Sequence, residues 1–92
     1  MVLRVLGVPS AAGAYGHGVA RAPAALRAAG LLEALRSRGL DVADAGDLPL
    51  VPFTPDPTSP RAQLVEQVGA VARDVADRVA TISGAGDVPL VL

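Results

Sequence analysis

The side chains that could do chemistry lie in two short stretches of the chain. The first is the glycine-rich segment after the opening apolar run, where Ser10, Tyr15 and His17 carry a hydroxyl, a phenol and an imidazole. The second holds two carboxylates, Asp44 and Asp47. Ser10, His17 and Asp44 together supply the residue types of a Ser-His-Asp hydrolase. We do not assign that chemistry, because Ser10 is not part of a G-x-S-x-G nucleophile elbow.

His17 is the only histidine in the chain. As a metal ligand it would need partners, and its neighbours Gly16 and Gly18 offer none. We interpret His17 as a loop residue, with a substrate-side or interface role as the alternative. Tyr15 is interpreted in the same way, as an aromatic side chain at the loop tip that could pack on a neighbouring subunit. Ser10, Tyr15 and His17 are therefore the candidate residues of a substrate-side loop.

The carboxylate pair is predicted to be structural. Asp44 and Asp47 stand three residues apart across the expected end of a strand, where they would cap the turn or pair with an arginine. Arg27 is the predicted partner, as a buried or half-buried cation for one of these aspartates. A structural role is therefore predicted for all three residues, and no catalytic residue is assigned.

The glycine pattern of the loop does not match a nucleotide-binding motif. Gly13, Gly16 and Gly18 allow positive φ and close backbone approach. Their order is G-x-x-G-x-G, which differs from the dinucleotide fingerprint G-x-G-x-x-G, and no Gly-Lys-Ser/Thr follows as in a Walker loop. No nucleotide site is therefore expected here.

Composition excludes several classes of partner. The 92 residues fit one domain or a piece of one, with 51% hydrophobic and 18% charged residues and a net charge of −1. The eight basic residues are all arginines and form no cluster, so nucleic-acid binding is not expected. There is no cysteine, hence no disulfide or thiolate site. No secretory signal or membrane span is predicted, which favours a soluble cytoplasmic protein.

Hydrophobic periodicity predicts alternating strands and helices. The predicted elements are strand 2–8, loop 10–21, a helical region 23–38 that splits into a short turn (23–29) and a helix proper (31–38), strand 40–45, loop 48–59, helix 60–83 and strand 88–92. Pro23 suits the first helical position, Gly30 separates the two helical segments and Gly39 ends the second. The polar content of strand 40–45 favours a sheet edge, with Gly46 and Asp47 turning the chain away.

The long helix 60–83 is predicted to bury one continuous apolar face. The residues of that face are Leu64, Val68, Val71, Val75, Val79 and Ile82. On the opposite side, Arg73 with Asp77 and Asp74 with Arg78 have the spacing of i,i+4 ion pairs.

The order of elements predicts an α/β fold with a parallel sheet. Right-handed crossovers with helices on both faces give strand order 2-1-3, with the first strand in the centre. Connections then leave this strand in opposite directions, so its carboxyl end is a topological switch point, where ligands bind in open α/β sheets. The loop 10–18 begins at that end.

The spacing of several residues resembles the N-terminal third of the arginase/agmatinase (ureohydrolase) family. The resemblance lies in Gly7-Val8-Pro9, then Gly18-Val19-x-x-Ala22-Pro23-x-x-Leu26-Arg27-x-x-Gly30-Leu31, then Asp44-x-Gly46-Asp47. It is strong over residues 7–49 and only pattern-level afterwards. Ala22 departs from the glycine that the family usually has before the proline, a mild change.

The resemblance implies a three-layer α/β/α domain with a central parallel sheet. It also implies hydrolysis of a C–N bond in a small guanidino or related amidine substrate, with water bridging a pair of Mn²⁺ ions in each full-length subunit. The family's metal motifs are Gly-Gly-Asp-His, Asp-x-His-x-Asp and Asp-x-Asp, and this chain contains none of them. No metal ligand of the family can therefore be assigned to a residue here. A homo-oligomer, trimer or hexamer, is implied for the parent enzyme.

Two hypotheses follow for residues 1–92. The first is that the chain is the N-terminal β-α-β-α-β part of a single ureohydrolase-like domain, inactive by itself. The alternative is a free-standing small α/β interaction or regulatory module without the metal-binding half. In either case we expect the isolated chain to form oligomers or aggregates, through apolar edges of the first and third strands.

Overall fold

The computed structural model describes residues 1–14, 18–52 and 65–92. In chain order the elements are β1 (Leu3–Gly7), a 3₁₀ turn (Gly18–Arg21), α1 (Ala22–Ala28), α2 (Leu31–Ser37), β2 (Val42–Asp47), α3 (Val65–Gly84) and β3 (Val88–Val91). The alternation of strands and helices is the predicted one. The 3₁₀ turn falls within the segment 10–21 that was predicted to be a loop.

The three strands form one parallel sheet in the order β2-β1-β3. This confirms the α/β class and the strand order 2-1-3. β1 is paired on both sides, so the expectation that β1 exposes an unpaired edge is wrong, and the free edges belong to β2 and β3. The carboxyl end of β1 therefore lies in the middle of the sheet's carboxyl edge.

The core is centred on β1, where Val5 and Leu6 are completely buried. Successive strand residues point to opposite faces, so these two side chains fill both sides of the sheet. Val5 forms a buried cluster with Leu32 of α2 and Val42 of β2. Half-buried leucines surround it, namely Leu3, Leu31, Leu35, Leu90 and Leu92. Apart from Arg4, β1 is apolar, and its carboxyl half is buried on both faces.

Gly30 and Gly39 divide and end the helical region as predicted, but α1 is an α-helix where a short turn was predicted over 23–29. Gly30 adopts φ +92° and separates α1 from α2. Gly39 adopts φ +84° and donates its N–H to the Arg36 carbonyl, which satisfies a helix-end acceptor of α2. Both conformations lie in the left-handed region, which glycine adopts without strain.

β2 lies two residues further along the chain than predicted. Gly46 and Asp47 belong to the strand and do not turn the chain away. The strand contains a register shift, since Val5 pairs with Asp44 and the next residue, Leu6, pairs with Gly46. Gly46 accommodates this irregularity at φ +80°. As a result, Asp47 lies opposite Gly7 at the carboxyl end of β1.

The apolar face of α3 is buried much less than predicted. Of its described residues only Ile82 is buried, whereas Val68 is 42% exposed. The helix of 20 residues is about 30 Å long, whereas a strand of four or five residues spans only about 15 Å. The first part of α3 therefore extends past the sheet. Residues 60–64 of the predicted helix, and 53–59 of the predicted loop, lie outside the described residues.

Neither predicted i,i+4 ion pair of α3 occurs among the side chains that the structure describes. Arg78 instead donates from Nη2 to the carbonyl oxygen of Ala45, at 3.2 Å, and so connects α3 to β2. Within the described ranges, no helix has the length and apolar character of a membrane span.

Candidate functional site at the carboxyl edge of the sheet

Arg27 of α1 organises the carboxyl end of β2. Its Nη1 donates to Asp47 Oδ1 at 2.5 Å, and its Nη2 donates to Asp44 Oδ1 at 3.1 Å and to the Gly46 carbonyl at 3.2 Å. Nε lies 3.0 Å from Asp44 Oδ2, an electrostatic contact without hydrogen-bond geometry. The guanidinium thus serves two carboxylates and one carbonyl with its planar fork of donors.

The electrostatics of this cluster follow from these contacts. The hydrogen bond that Arg27 donates to Asp47 raises the pKa of Arg27, with Asp44 adding to the effect. The backbone N–H of Gly46 donates to Asp44 Oδ1 at 2.8 Å and lowers the pKa of that carboxyl, assisted by Arg27. Asp44 and Asp47 remain 38% and 39% exposed, so solvent screens both ion pairs.

Gly7 creates the space for this cluster. A Cβ placed at Gly7 would overlap Asp47 Oδ1 and would lie 3.0 Å from Cβ of Pro23, which is buried. Asp47 therefore lies directly over the backbone of β1, and the first turn of α1 closes against it. From the sequence, a structural role was predicted for Arg27 and the two aspartates, whereas Gly7 was noted only as part of the Gly7-Val8-Pro9 motif of the family resemblance, with no role assigned.

The loop after β1 is held to the loop after β2. Ser10 and Val51 form an isolated parallel bridge. The Ala11 N–H donates to the Val51 carbonyl at 2.8 Å, and the Val51 N–H donates to the Pro9 carbonyl at 3.0 Å. The Ser10 hydroxyl accepts from the Ala12 N–H at 3.2 Å, so it closes a turn. This pairing of loops was not anticipated from the sequence.

Of the candidate substrate-side residues, only Ser10 falls within the described part of the chain. Tyr15 and His17 lie outside it. Asp44 would be the aspartate of a Ser-His-Asp triad, but its Oδ1 accepts hydrogen bonds from Arg27 Nη2 and from the Gly46 N–H. The structural role predicted for Arg27, Asp44 and Asp47 remains a prediction, to which the geometry adds that Arg27 contacts both aspartates and not just one.

The described residues do not fit a metal centre. In ranges 1–14, 18–52 and 65–92 no group of three His, Cys, Asp or Glu side chains could hold an ion. Asp44 and Asp47 are only two carboxylates, and both already pair with Arg27. Binuclear metal chemistry would therefore need ligands other than these residues, and we derive no step through a metal here.

A second ionic contact lies at the amino ends of the strands, opposite the carboxyl edge. Asp87, just before β3, accepts from Arg4 Nε at 2.7 Å and from the Val2 N–H at 2.9 Å. These contacts lower the pKa of Asp87, the one from Arg4 most strongly. They hold the amino ends of β1 and β3 together, far from the loops.

The parallel sheet and its flanking helices place the chain in the open α/β class. In proteins of this class, ligands bind at the carboxyl edge of the sheet. The sequence model of the arginase family matches residues 2–92, so the chain belongs to the arginase family. It is similar to Arginase-1 of Mus musculus, with 38% identity over 90 residues, covering 98% of this chain and 28% of the relative. Arginase-1 of Homo sapiens is 35% identical over 88 residues, and Arginase-1 of Sus scrofa 40% identical over 91 residues, each over 96% of this chain and 27% of the relative.

The chain thus spans little more than a quarter of the length of these curated relatives. The family match confirms the resemblance drawn from the Gly7-to-Asp47 motifs. It extends through α3 and β3, where the sequence pattern was weaker.

Proposed function

We propose that residues 1–92 form the N-terminal part of an arginase-like hydrolase that cleaves a C–N bond of a small guanidino substrate. The observation that carries this proposal is the family match over residues 2–92. The proposed cofactor is a binuclear manganese centre whose ligands belong to parts of the parent enzyme other than this chain. We further propose that the parent is a cytoplasmic homo-oligomer and that these residues alone are inactive.

The structure supports a positional role for this segment. Its central strand delivers a loop to the carboxyl edge of the sheet, where ligands bind in this fold class. Among the described residues, Asp44 and Asp47 at that edge both pair with Arg27. The segment therefore contributes shape to the site, while the reacting groups come from elsewhere.

The proposal is tested with a chimera. Residues 1–92 would replace the matched region of Mus musculus Arginase-1, and the purified chimera would be assayed for arginine and agmatine hydrolysis with Mn²⁺. We expect activity from the chimera and none from the relative that lacks its matched region. A folded chimera that hydrolyses no guanidino substrate would contradict the proposed function.

The chain alone is the complementary sample. We expect the 92 residues with Mn²⁺ to show no turnover of arginine or agmatine, and no tight manganese binding by calorimetry. Turnover would show that this chain carries catalytic groups of its own. The alternative function, a free-standing interaction module, would gain support if the chimera were inactive while the isolated chain was a stable, folded monomer.

A further inference from the structure

We propose that residues 8–14 and 48–52 behave as one structural unit, the paired-loop unit, and that Arg27 is the positioning residue that sets its place at the carboxyl edge. Each loop supplies the hydrogen-bond partners of the other, because Ala11 donates to Val51 and Val51 donates to Pro9. Neither loop can leave its position without breaking the backbone hydrogen bonds of its neighbour.

The unit is separate from the ladder of the main sheet. Regular pairing of β1 with β2 ends at Gly7 and Asp47, followed by a hydrogen bond from the Leu48 N–H to the Gly7 carbonyl at 2.9 Å. Pairing then resumes between Ser10 and Val51. The interior of the unit is closed, since Ala11 and Leu48 are both buried. It is therefore an ordered extension of two strands beyond the sheet.

Arg27 holds the base from which both loops leave. It contacts Asp44 and Asp47 of β2 and the Gly46 carbonyl at the register shift. Asp47 in turn lies over Gly7, the last residue of β1. A single side chain of α1 thus determines the direction of the chain at the ends of two strands. The Arg27 side chain is 21% exposed, whereas its two carboxylate partners stay more open to solvent, so the role of Arg27 lies in the geometry of these contacts.

The position of the paired-loop unit affects the shape of the carboxyl edge of the sheet, where ligands bind in this fold class. The paired-loop unit stands beyond the carboxyl end of the central strand, where a bound molecule would meet it as one wall. That this molecule is a guanidino substrate rests on the proposed function, whereas the coupling of the two loops through Arg27 does not. Arg27 touches no ligand in this scheme, and acts through Asp47 and Gly7.

Amide hydrogen exchange of the 92-residue chain tests the coupling. The reporters of the unit are the Ala11 and Val51 amides, and those of the remaining sheet are the Val88 and Leu92 amides, which donate to Val2 and Leu6. For Arg27→Gln we expect exchange at Ala11 and Val51 to accelerate together by about ten-fold or more, with a change under about three-fold at Val88 and Leu92.

The matched control is Arg36→Gln. Arg36 also donates to β2, from Nη2 to the Val42 carbonyl at 3.2 Å, but at the opposite end of the strand. We expect it to leave Ala11 and Val51 unchanged. Different accelerations at Ala11 and Val51, or an equal effect of Arg27→Gln on all four amides, would overturn the proposal.

Asp47→Asn provides a second, milder variant of the same contact. It keeps the shape of the side chain and removes the charge that Arg27 pairs with, so we expect the same local pattern. If Arg27→Gln fails to fold, Asp47→Asn decides the question. Local acceleration confined to the unit supports the proposal, and unchanged exchange at Ala11 and Val51 refutes it. Neither result depends on whether the chimera is active.

Discussion

Single residues at the carboxyl edge show how charge is used in this chain. Arg27 could have paired with one aspartate as a surface ion pair of little energetic value. It is instead surrounded by three acceptors, and Asp44 is fixed further by the Gly46 amide. Because Arg27 donates to three acceptors and Asp44 accepts from two donors, the cluster defines a geometry and not just a charge balance.

The lowered pKa of Asp44 predicts acid sensitivity. A carboxyl whose pKa is lower in the folded state than its ordinary 3.8 contributes stability above that value. The contribution is lost as pH falls through the lower folded pKa. We expect Asp44→Asn to be less stable than the wild type near neutral pH and to lose less stability between about pH 5 and about pH 2.

Urea unfolding followed by circular dichroism at a series of pH values measures this difference. Asp87 also has a lowered pKa, so the variant keeps part of the acid dependence. An equal loss of stability in wild type and variant would show that Asp44 is not one of the responsible groups.

At the scale of elements, β1, β2 and α1 meet at Gly7. The register shift in β2 places Asp47 opposite Gly7, and Pro23 of α1 closes the space beside it. A glycine at the end of a buried strand is thereby required for close packing and not for an unusual φ, since Gly7 is not among the positive-φ glycines.

Gly7→Ala is therefore expected to destabilise the chain by about 1–3 kcal/mol, because the added methyl group displaces Asp47 from Arg27 or strains the strand. The matched control is Gly84→Ala at the end of α3, where an added Cβ meets nothing within 4 Å. We expect the control to be neutral or stabilising by up to about 1 kcal/mol. Chemical denaturation measures both, and equal stabilities would contradict the packing argument.

At the scale of the whole described structure, the three-stranded sheet is too small to cover the apolar face of α3. β3 lies at an edge with Val88 and Val91 both about 40% exposed, and the apolar face of α3 beside it is covered only in part. Free strand edges and exposed apolar side chains promote association. This is the surface to which the expectation of oligomers now applies.

We expect the isolated chain to self-associate in a concentration-dependent manner during sedimentation. Val91→Lys should weaken that association, because a charged residue on an edge strand opposes strand pairing. Val19→Lys is the control, since Val19 is an exposed valine of the 3₁₀ turn and does not belong to a strand. A wild-type chain that remains monomeric at every concentration would refute the expectation.

The sequence by itself determined the order of elements, the strand order and the family. These follow from local signals, since an apolar run such as 2–8 needs burial on both faces, and Gly30 and Gly39 end helices through their own φ preferences. The link between Arg27 and the aspartates was also accessible, because a charged residue near a strand end needs a partner.

Only the tertiary structure decided the register of β2, the burial of α3 and the pairing of the two loops. Each depends on residues distant in sequence. The register of β2 brings Asp47 over Gly7 of β1, and α3 stays half exposed because a short sheet cannot cover a helix about 30 Å long. Hydrophobic periodicity indicates which residues favour burial, whereas the dimensions of the packed elements determine which of them are buried.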